Sequence, residues 1–303
     1  MDILVTGGTV FASRAAAQYF ADSGHNVFVL NRGTRPQPQN VTPIIADRHS
    51  LGDRLKHRHF DAVLDVTAYN SDDVNDLLDS LGCFGTYVLI SSSAVYPETL
   101  PSPFSESYKC GANSIWGKYG TDKISAENAL LSRVSDAYIL RPPYLCGYMN
   151  NLYREAFVFE CAEAGRPFYL PSDGSMKLQF FHIGDLCRLT ELILNTRPAD
   201  HIFNTGYPIS VSIRDWVKLC YESVGREPEF INVPKTVPQR SYFPFYDYQY
   251  ELDVSRMNRI LSDLTPLEDS VAGSYEWFRN NRELIIRKPL IQFIDSELKE
   301  IMK

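Results

Sequence analysis

Tyr119 and Lys123 stand four residues apart. On a helix that spacing sets both side chains on one face. An ammonium held beside a phenol favours the phenolate and lowers the tyrosine pKa from its reference of about 10. Such a tyrosine serves as general acid or base near neutral pH. A Y-x-x-x-K pair is common by chance, so its surroundings decide its meaning. Upstream, Ser91-Ser-Ser-Ala-Val-Tyr96 follows a short apolar run at 87–90. A hydroxyl at the C-terminal edge of a strand faces the crevice where open α/β sheets bind ligands.

A second chemical feature opens the chain. Ile3-Leu-Val5 reads as a buried parallel strand, Gly7-Gly8-Thr9 turns the chain, and an Ala-rich segment at 12–19 reads as a helix. Strand, glycine turn and helix together present free N–H groups and a helix N-terminus to a phosphate. A tight turn without any ligand also needs such glycines.

The elements that must position these groups alternate. Short apolar runs fall at 27–30, 41–46, 61–67, 87–90, 137–140 and 201–204, with helical patterns at 12–23, 71–81 and 119–134. Strands separated by helices imply βαβ units. The fold class is therefore α/β, a Rossmann-type doubly wound parallel sheet. Residues 1–144, with a returning strand near 201–206, make up its main domain. Residues 145–303 read as mostly a smaller, mixed region, irregular and punctuated by Gly and Pro. Within it, the tract 233–253 carries Tyr242, Phe243, Phe245, Tyr246, Tyr248 and Tyr250. A structureless stretch of that length is uncommon unless functional; covering a neighbouring helix is the other reading. The tail 293–303 reads as an amphipathic helix.

Composition narrows the function classes. The chain has 303 residues, 44% hydrophobic and 22% charged, enough for one large α/β domain or two coupled ones. A net charge of −7 disfavours non-specific nucleic-acid binding. The six cysteines form no C-x-x-C motif and read as scattered buried thiols of a reducing compartment. His182 and Asp185 have no evident third ligand and read as a structural hydrogen bond, so no metal is expected. No signal peptide and no membrane-spanning run is visible, which points to a cytoplasmic protein.

Taken together, Thr6-Gly-Gly-Thr-Val-Phe11, Ser91-Ser-Ser-Ala-Val-Tyr96, Tyr119-x-x-x-Lys123, Leu140-Arg-Pro142, Gln179-Phe-Phe-His-Ile-Gly-Asp185 and Phe203-Asn-Thr-Gly206 form a specific pattern. The chain resembles the extended short-chain dehydrogenase/reductase family, the NAD-dependent epimerase/dehydratase group acting on nucleotide sugars. The Gly-Gly-Thr-x-Phe start and Phe243-Pro-Phe-Tyr-Asp247 look most like an atypical branch. That branch includes bacterial reductase-like proteins and the chloroplast stem-loop RNA-binding proteins.

The resemblance implies a dinucleotide-binding first domain and a substrate-binding remainder. It makes Tyr119 the catalytic acid/base, and has Lys123 bind the nicotinamide ribose and lower the Tyr119 pKa. Ser92, with Ser93 as its rival, would hydrogen-bond the reacting oxygen. Gly7, Thr9, Val10 and Phe11 would follow the pyrophosphate. Asp47 would meet the adenine. Thr67, Ala68 and Tyr69 would line the ribose and nicotinamide, with Pro142 and Pro143 beside the latter. The implied cofactor is NADP or NAD, and the implied partner a nucleotide sugar, with a homodimer through the helices at 71–81 and 119–134.

The chain departs from the family pattern at several places. Val10 and Ser13 replace two glycines of the usual turn; Val10 would hold the pyrophosphate off, and Ser13 would loosen helix–sheet packing. Asn31 and Arg32 stand where an acid would bind the ribose of NAD; Arg32 pairs well with a 2′-phosphate, which points to NADP, or is a solvated loop residue. Ala94 replaces the Glu of dehydratases and fits the epimerase or reductase arrangement. Leu178 replaces the pyrophosphate-binding arginine, with Lys177 beside it. The function read here is an NAD(P)-dependent epimerase or reductase acting on a sugar-like substrate. The alternatives are a non-catalytic dinucleotide-binding regulator and an RNA-binding protein.

Overall fold

Seven of the apolar runs pair into one parallel sheet. A computed structural model describes residues 1–302. The elements are β1 (Asp2–Thr6), α1 (Phe11–Asp22), β2 (Asn26–Asn31), β3 (Val41–Ile45), β4 (His59–Asp65), α2 (Ser71–Ser80), β5 (Cys83–Ile90), α3 (Lys118–Arg133) and β6 (Tyr138–Arg141). The sheet runs Ile202–Asn204, β6, β5, β4, β1, β2, β3. The chain builds outward from β1 through β3, then crosses back to lay β4 on the other side of β1. The strand order reverses there, and open sheets of this kind bind ligands at such a point.

Burial explains the runs. Ile3, Leu4 and Val5 are fully buried, as a strand covered on both faces must be. One face carries a core of Leu4, Val63, Leu77, Leu89, Leu130 and Ile139, under α2 and α3. On α1, Ala15, Ala16 and Ala17 are buried; small side chains of high helix propensity let it lie close to the sheet.

The chain divides into two compact units. The first comprises 1–145, 180–208 and 252–264. The sequence pattern returns only a strand near 201–206 to this unit. The structure returns more, because helix Ile183–Thr196 packs on α1, where Tyr19 donates to Glu191 at 2.6 Å. The second unit comprises 146–179, 209–251 and 265–303. Three helices, Glu155–Glu163, Ile213–Val224 and Leu267–Asn280, form its core, with a short parallel pair, Phe168–Pro171 and Phe230–Val233.

The aromatic tract belongs to that core. Tyr242, Phe243, Phe245 and Tyr250 are buried, and Trp216 meets Phe245 edge-on at 5.2 Å. Phe243 and Phe245 pack against Trp216 of the helix Ile213–Val224. Tyr246 alone of the six is exposed enough to meet solvent freely. The tail is helical in pieces, Leu290–Phe293, Ile294–Leu298 and Lys299–Ile301; Lys303 lies outside the described residues. Four of the six cysteines are buried thiols, but Cys83 is exposed at the start of β5 and Cys110 half-buried. No helix among the described residues is long and apolar enough to cross a membrane.

Candidate functional site

The β1–α1 turn is built around two left-handed glycines, Gly7 at φ 85° and Gly8 at φ 75°. A Cβ on Gly7 would lie 2.7 Å from Thr67 Cγ2 and 2.9 Å from Ser13 Oγ. The missing side chain therefore makes room for Ser13. The Ser13 hydroxyl donates to the Val10 carbonyl at 2.9 Å and is buried, so it is bonded within the turn. Val10 is the N-cap of α1 and offers no capping side chain. The N–H groups of Gly8, Thr9, Val10 and Phe11 meet no acceptor among the described residues. With no acid in the first turn of α1, that helix end suits an anion.

Beside the turn lies a cavity of about 380 Å³. Of the residues expected from sequence, Gly7, Thr9, Val10, Asn31, Arg32, Asp47 and Thr67 line it. Asn31 is committed internally. Its amide nitrogen donates to the Gly7 carbonyl at 2.8 Å and to Gln37 at 2.9 Å, while its oxygen accepts from the Gly33 N–H. It fixes the glycine turn to the end of β2. Arg32 and Arg35 supply positive charge on that wall. Asp47 caps a short 3₁₀ turn, Arg48–Ser50, by accepting from the His49 N–H at 2.9 Å.

A buried ion pair underlies this cavity. Asp65, the last residue of β4, is fully buried and accepts from Arg48 at 2.6 Å, Thr6 at 2.7 Å and Tyr87 at 2.7 Å. Burial pushes its pKa up, but Arg48 and the hydroxyl donors override that and hold it below the ordinary value. Thr6 in turn accepts from the Val66 and Thr67 N–H groups at 3.0 and 3.1 Å. One network thus pins the end of β1 to the loop after β4.

That loop carries the next part of the site. Lys123 is buried on α3 and donates to the carbonyls of Ala68 at 2.7 Å and Ile90 at 2.9 Å. Its ammonium lies 5.2 Å from the centre of the Tyr69 ring. An ammonium has three donors, so one remains. Burial brings the Lys123 pKa down to about 8, against the pull of Asp65, Glu127 and Asp73. Tyr119, one turn earlier and exposed, has its ring 6.5 Å from that of Tyr69. The loop is held by Asp73, which accepts from the Tyr69 N–H at 2.7 Å while Asn70 caps α2.

Gly120 sets α3 against the serine segment. A Cβ there would sit 2.4 Å from the Ala94 carbonyl oxygen. This close approach puts the first turn of α3, with Tyr119, beside the 3₁₀ turn Ser93–Val95. Ser92 caps that turn, half-buried, accepting from the Ala94 N–H at 3.2 Å. Its neighbours face inward. Ser91 donates to Glu127 at 2.5 Å, and Ser93 is buried, its N–H on the Pro142 carbonyl at 2.9 Å. Ser92 is thus the least buried member of the run.

The expected residues form two groups joined by residues 67–69. One is the cavity; the other is Ala68, Tyr69, Tyr119 and Lys123. Phe11 is buried with φ 34° at the helix start, off the cavity, and Pro142 serves through its carbonyl. Sequence reading missed Arg35, Arg48, Asp65, Asp73, Glu127 and Arg141. Asp65 left a signal, a carboxylate inside an apolar strand, which must find partners when buried. Glu127 left another, four residues beyond Lys123 on the same helical face.

In the second unit, Leu178 is buried and Lys177 exposed, its N–H donating to Gln249 at 2.9 Å. Asp185 accepts from Arg188 at 3.0 Å and lies 4.0 Å from His182, both within the first unit. Among the described residues, no three His, Cys, Asp or Glu side chains are grouped to hold a metal ion.

Comparison with known proteins adds to this geometry. Residues 3–206 match the model of the NAD dependent epimerase/dehydratase family. A dTDP-glucose 4,6-dehydratase of Streptomyces niveus is 25% identical over 112 residues, 36% of this chain and 32% of that protein. The match thus spans about a third of that curated relative's length. Among solved structures, a dTDP-glucose 4,6-dehydratase of Bacillus anthracis in complex with NAD superposes with a TM-score of 0.74 at 18% identity, covering 96% of this chain and 99% of that one. A UDP-glucuronic acid 4-epimerase of Bacillus cereus, in complex with UDP-glucuronic acid and NAD, gives 0.71 at 19% identity, covering 92% and 99%. At these identities the likeness is one of fold.

Proposed function

Because the chain belongs to the NAD dependent epimerase/dehydratase family, we propose that it is an NAD(P)-dependent epimerase or reductase acting on a sugar-like substrate, a nucleotide sugar. The observation that carries this reading is Lys123, whose ammonium is fixed by the Ala68 and Ile90 carbonyls with one donor left over. The unpartnered N–H groups of the glycine turn, the cavity beside them and the helix end of α1 fit a dinucleotide. When bound, the nicotinamide accepts and returns hydride.

The chain's own residues do the rest. Tyr119 takes the proton of a substrate hydroxyl, or returns it to a carbonyl. Lys123 gives its remaining donor to the nicotinamide ribose, and its charge favours the Tyr119 phenolate. Ser92 donates to the reacting oxygen. Holding these groups in place removes part of the entropic barrier, about 7–11 kcal/mol in favourable cases. Arg32 and Arg35 on one cavity wall support a 2′-phosphate and hence NADP, whereas the two structural neighbours above hold NAD.

The test is nucleotide analysis of the denatured, purified protein, with thermal shift against NAD and NADP. A dinucleotide is expected by one route or the other. If neither co-purifies and neither raises the melting temperature, the proposal fails. With a substrate found by screening nucleotide sugars, Tyr119→Phe should abolish turnover and leave cofactor binding intact. Unchanged turnover would remove Tyr119 from the mechanism.

A further inference from the structure

Tyr69 is a large ring, 55% exposed, on the loop after β4. Core packing does not hold it, so what it faces decides its role. The backbone around it is pinned. Thr6 accepts from the Val66 and Thr67 N–H groups, and Asp73 accepts from the Tyr69 and Asn70 N–H groups at 2.7 and 3.2 Å. From that fixed loop, the ring turns a face to the Lys123 ammonium, which stands over it 5.2 Å from its centre. A cation within about 6 Å of a ring centre is drawn to the negative face of the π system.

Lys123 has need of that face. It is 3% exposed, and a buried charge is costly unless it is compensated. Among the described residues it makes no ion pair; its acceptors are the Ala68 and Ile90 carbonyls. The charges that face it are Asp65 at the end of β4, Glu127 on α3, Asp73 on α2 and, opposing them, Arg48 of the 3₁₀ turn after β3. Each acid is engaged elsewhere. Asp65 binds Arg48, Thr6 and Tyr87, Glu127 binds Arg141 and Ser91, and Asp73 binds the loop.

We propose that Tyr69 is a positioning residue acting through Lys123: the face of its ring completes, with the Ala68 and Ile90 carbonyls, a cage that keeps the buried ammonium in its charged, donating form. The ring attracts the charge without supplying a hydrogen-bond acceptor atom, so the third donor of the ammonium stays available. The consequence for the nicotinamide ribose and for Tyr119, whose ring lies 6.5 Å from that of Tyr69, rests on the dinucleotide reading above. The cage itself does not.

The test compares three variants. Tyr69→Phe keeps the face, Tyr69→Leu removes it, and Tyr69→pentafluorophenylalanine keeps the shape but inverts the charge of the face. The first readout is side-chain carbon NMR of lysine-labelled protein without nucleotide, the Lys123 signal being assigned by its absence in Lys123→Arg. Wild type and Tyr69→Phe should titrate together near pH 8. The leucine and pentafluorophenylalanine variants should titrate lower by about half a pH unit or more. Equal titration of the phenylalanine and pentafluorophenylalanine variants overturns the proposal, and that comparison stands even if Tyr69→Leu does not fold. The second readout is calorimetric titration of NAD or NADP across pH. The alkaline loss of affinity should begin at lower pH in the same two variants. A loss that is uniform at every pH means that the ring only contacts the ligand, which also overturns the proposal. Failure of wild type to bind either nucleotide would sink the dinucleotide reading instead, and the nucleotide-free titration would still decide the cage.

Discussion

Arg141 grips Glu127 side-on, Nε to Oε1 at 3.0 Å and Nη2 to Oε2 at 2.5 Å. Both side chains are 4% exposed. The pair joins β6 to α3 one turn after Lys123, and through Ser91 it reaches the end of β5. Burial alone would make such a pair costly, but here every charge has bidentate geometry and further partners, Tyr96 among them at 2.8 Å. Arg141→Met strands the Glu127 carboxylate and should destabilise the protein by about 3–5 kcal/mol. Glu127→Leu with Arg141→Met should recover most of that loss. Urea unfolding of the three proteins checks both expectations; equal losses in single and double variants would show that the pair is not the source.

Lys123 gives a pH signature. Its native pKa is about 8, below the ordinary lysine value of 10.5. The charged form, which donates, is lost as pH rises through about 8. Dinucleotide affinity should therefore fall above that pH, and Lys123→Met should be weak and flat across it. Calorimetric titrations from pH 6.5 to 9.5 would show this limb. For folding the sign is opposite: the native state gives up the proton first, so this residue's penalty is relieved between pH 8 and 10.5.

Ser92 separates stability from chemistry. Its hydroxyl caps a three-residue turn, a bond of 3.2 Å at a half-buried site. Ser92→Ala should cost no more than about 1 kcal/mol of stability. Turnover should fall on the order of a hundredfold or more, as when one oxyanion donor is removed. Ser93→Ala is the control, since Ser93 is buried; equal kinetic losses in both would count against the assignment.

Glu155 should make the second unit less stable as pH rises from acid to neutral. It is buried at the start of the helix Glu155–Glu163, with Oε2 accepting from Asn150 at 2.8 Å and Oε1 unpartnered. Burial raises its pKa from 4.5 to about 7. The native state keeps the proton where the unfolded chain has released it. Its stabilising contribution is complete below pH 4.5 and lost as pH rises through about 7. Glu155→Gln should gain stability over wild type between pH 5 and pH 8, by about 3 kcal/mol at most. Thermal unfolding at the two pH values measures the difference.

How far the molecule was legible from its residues differs by element. The central strands β1, β4 and β6 were plain because they are buried on both faces and so are written as apolar runs, whereas the edge strand β3 leaves Thr42, Pro43 and Ile45 exposed. Gly7, Gly8 and the Tyr119–Lys123 spacing were plain because they are local. The ionic partners were hidden because Arg48 and Asp65, or Glu127 and Arg141, are adjacent only after the sheet forms. Ser13 was misleading in sequence: its effect on the turn depends on Gly7, which vacates the space it occupies. The extent of the first unit was also hidden, since Ile183–Thr196 has no local mark of the helix it packs against.

The return of 180–208 and 252–264 to the first unit has a consequence for how the protein is made. Asn204, far along the chain, accepts from Tyr96 at 2.8 Å and donates to the Phe104 and Asp253 carbonyls at 2.8 and 3.2 Å. A fragment ending at residue 145 would leave β6 as a bare edge with unpaired N–H and C=O groups, a template for association with other chains. Such a fragment should aggregate, with light scattering as the readout. On the ribosome, the N-terminal strands must wait for the far segments before the sheet closes. The first unit is therefore the first to be begun and among the last to be finished.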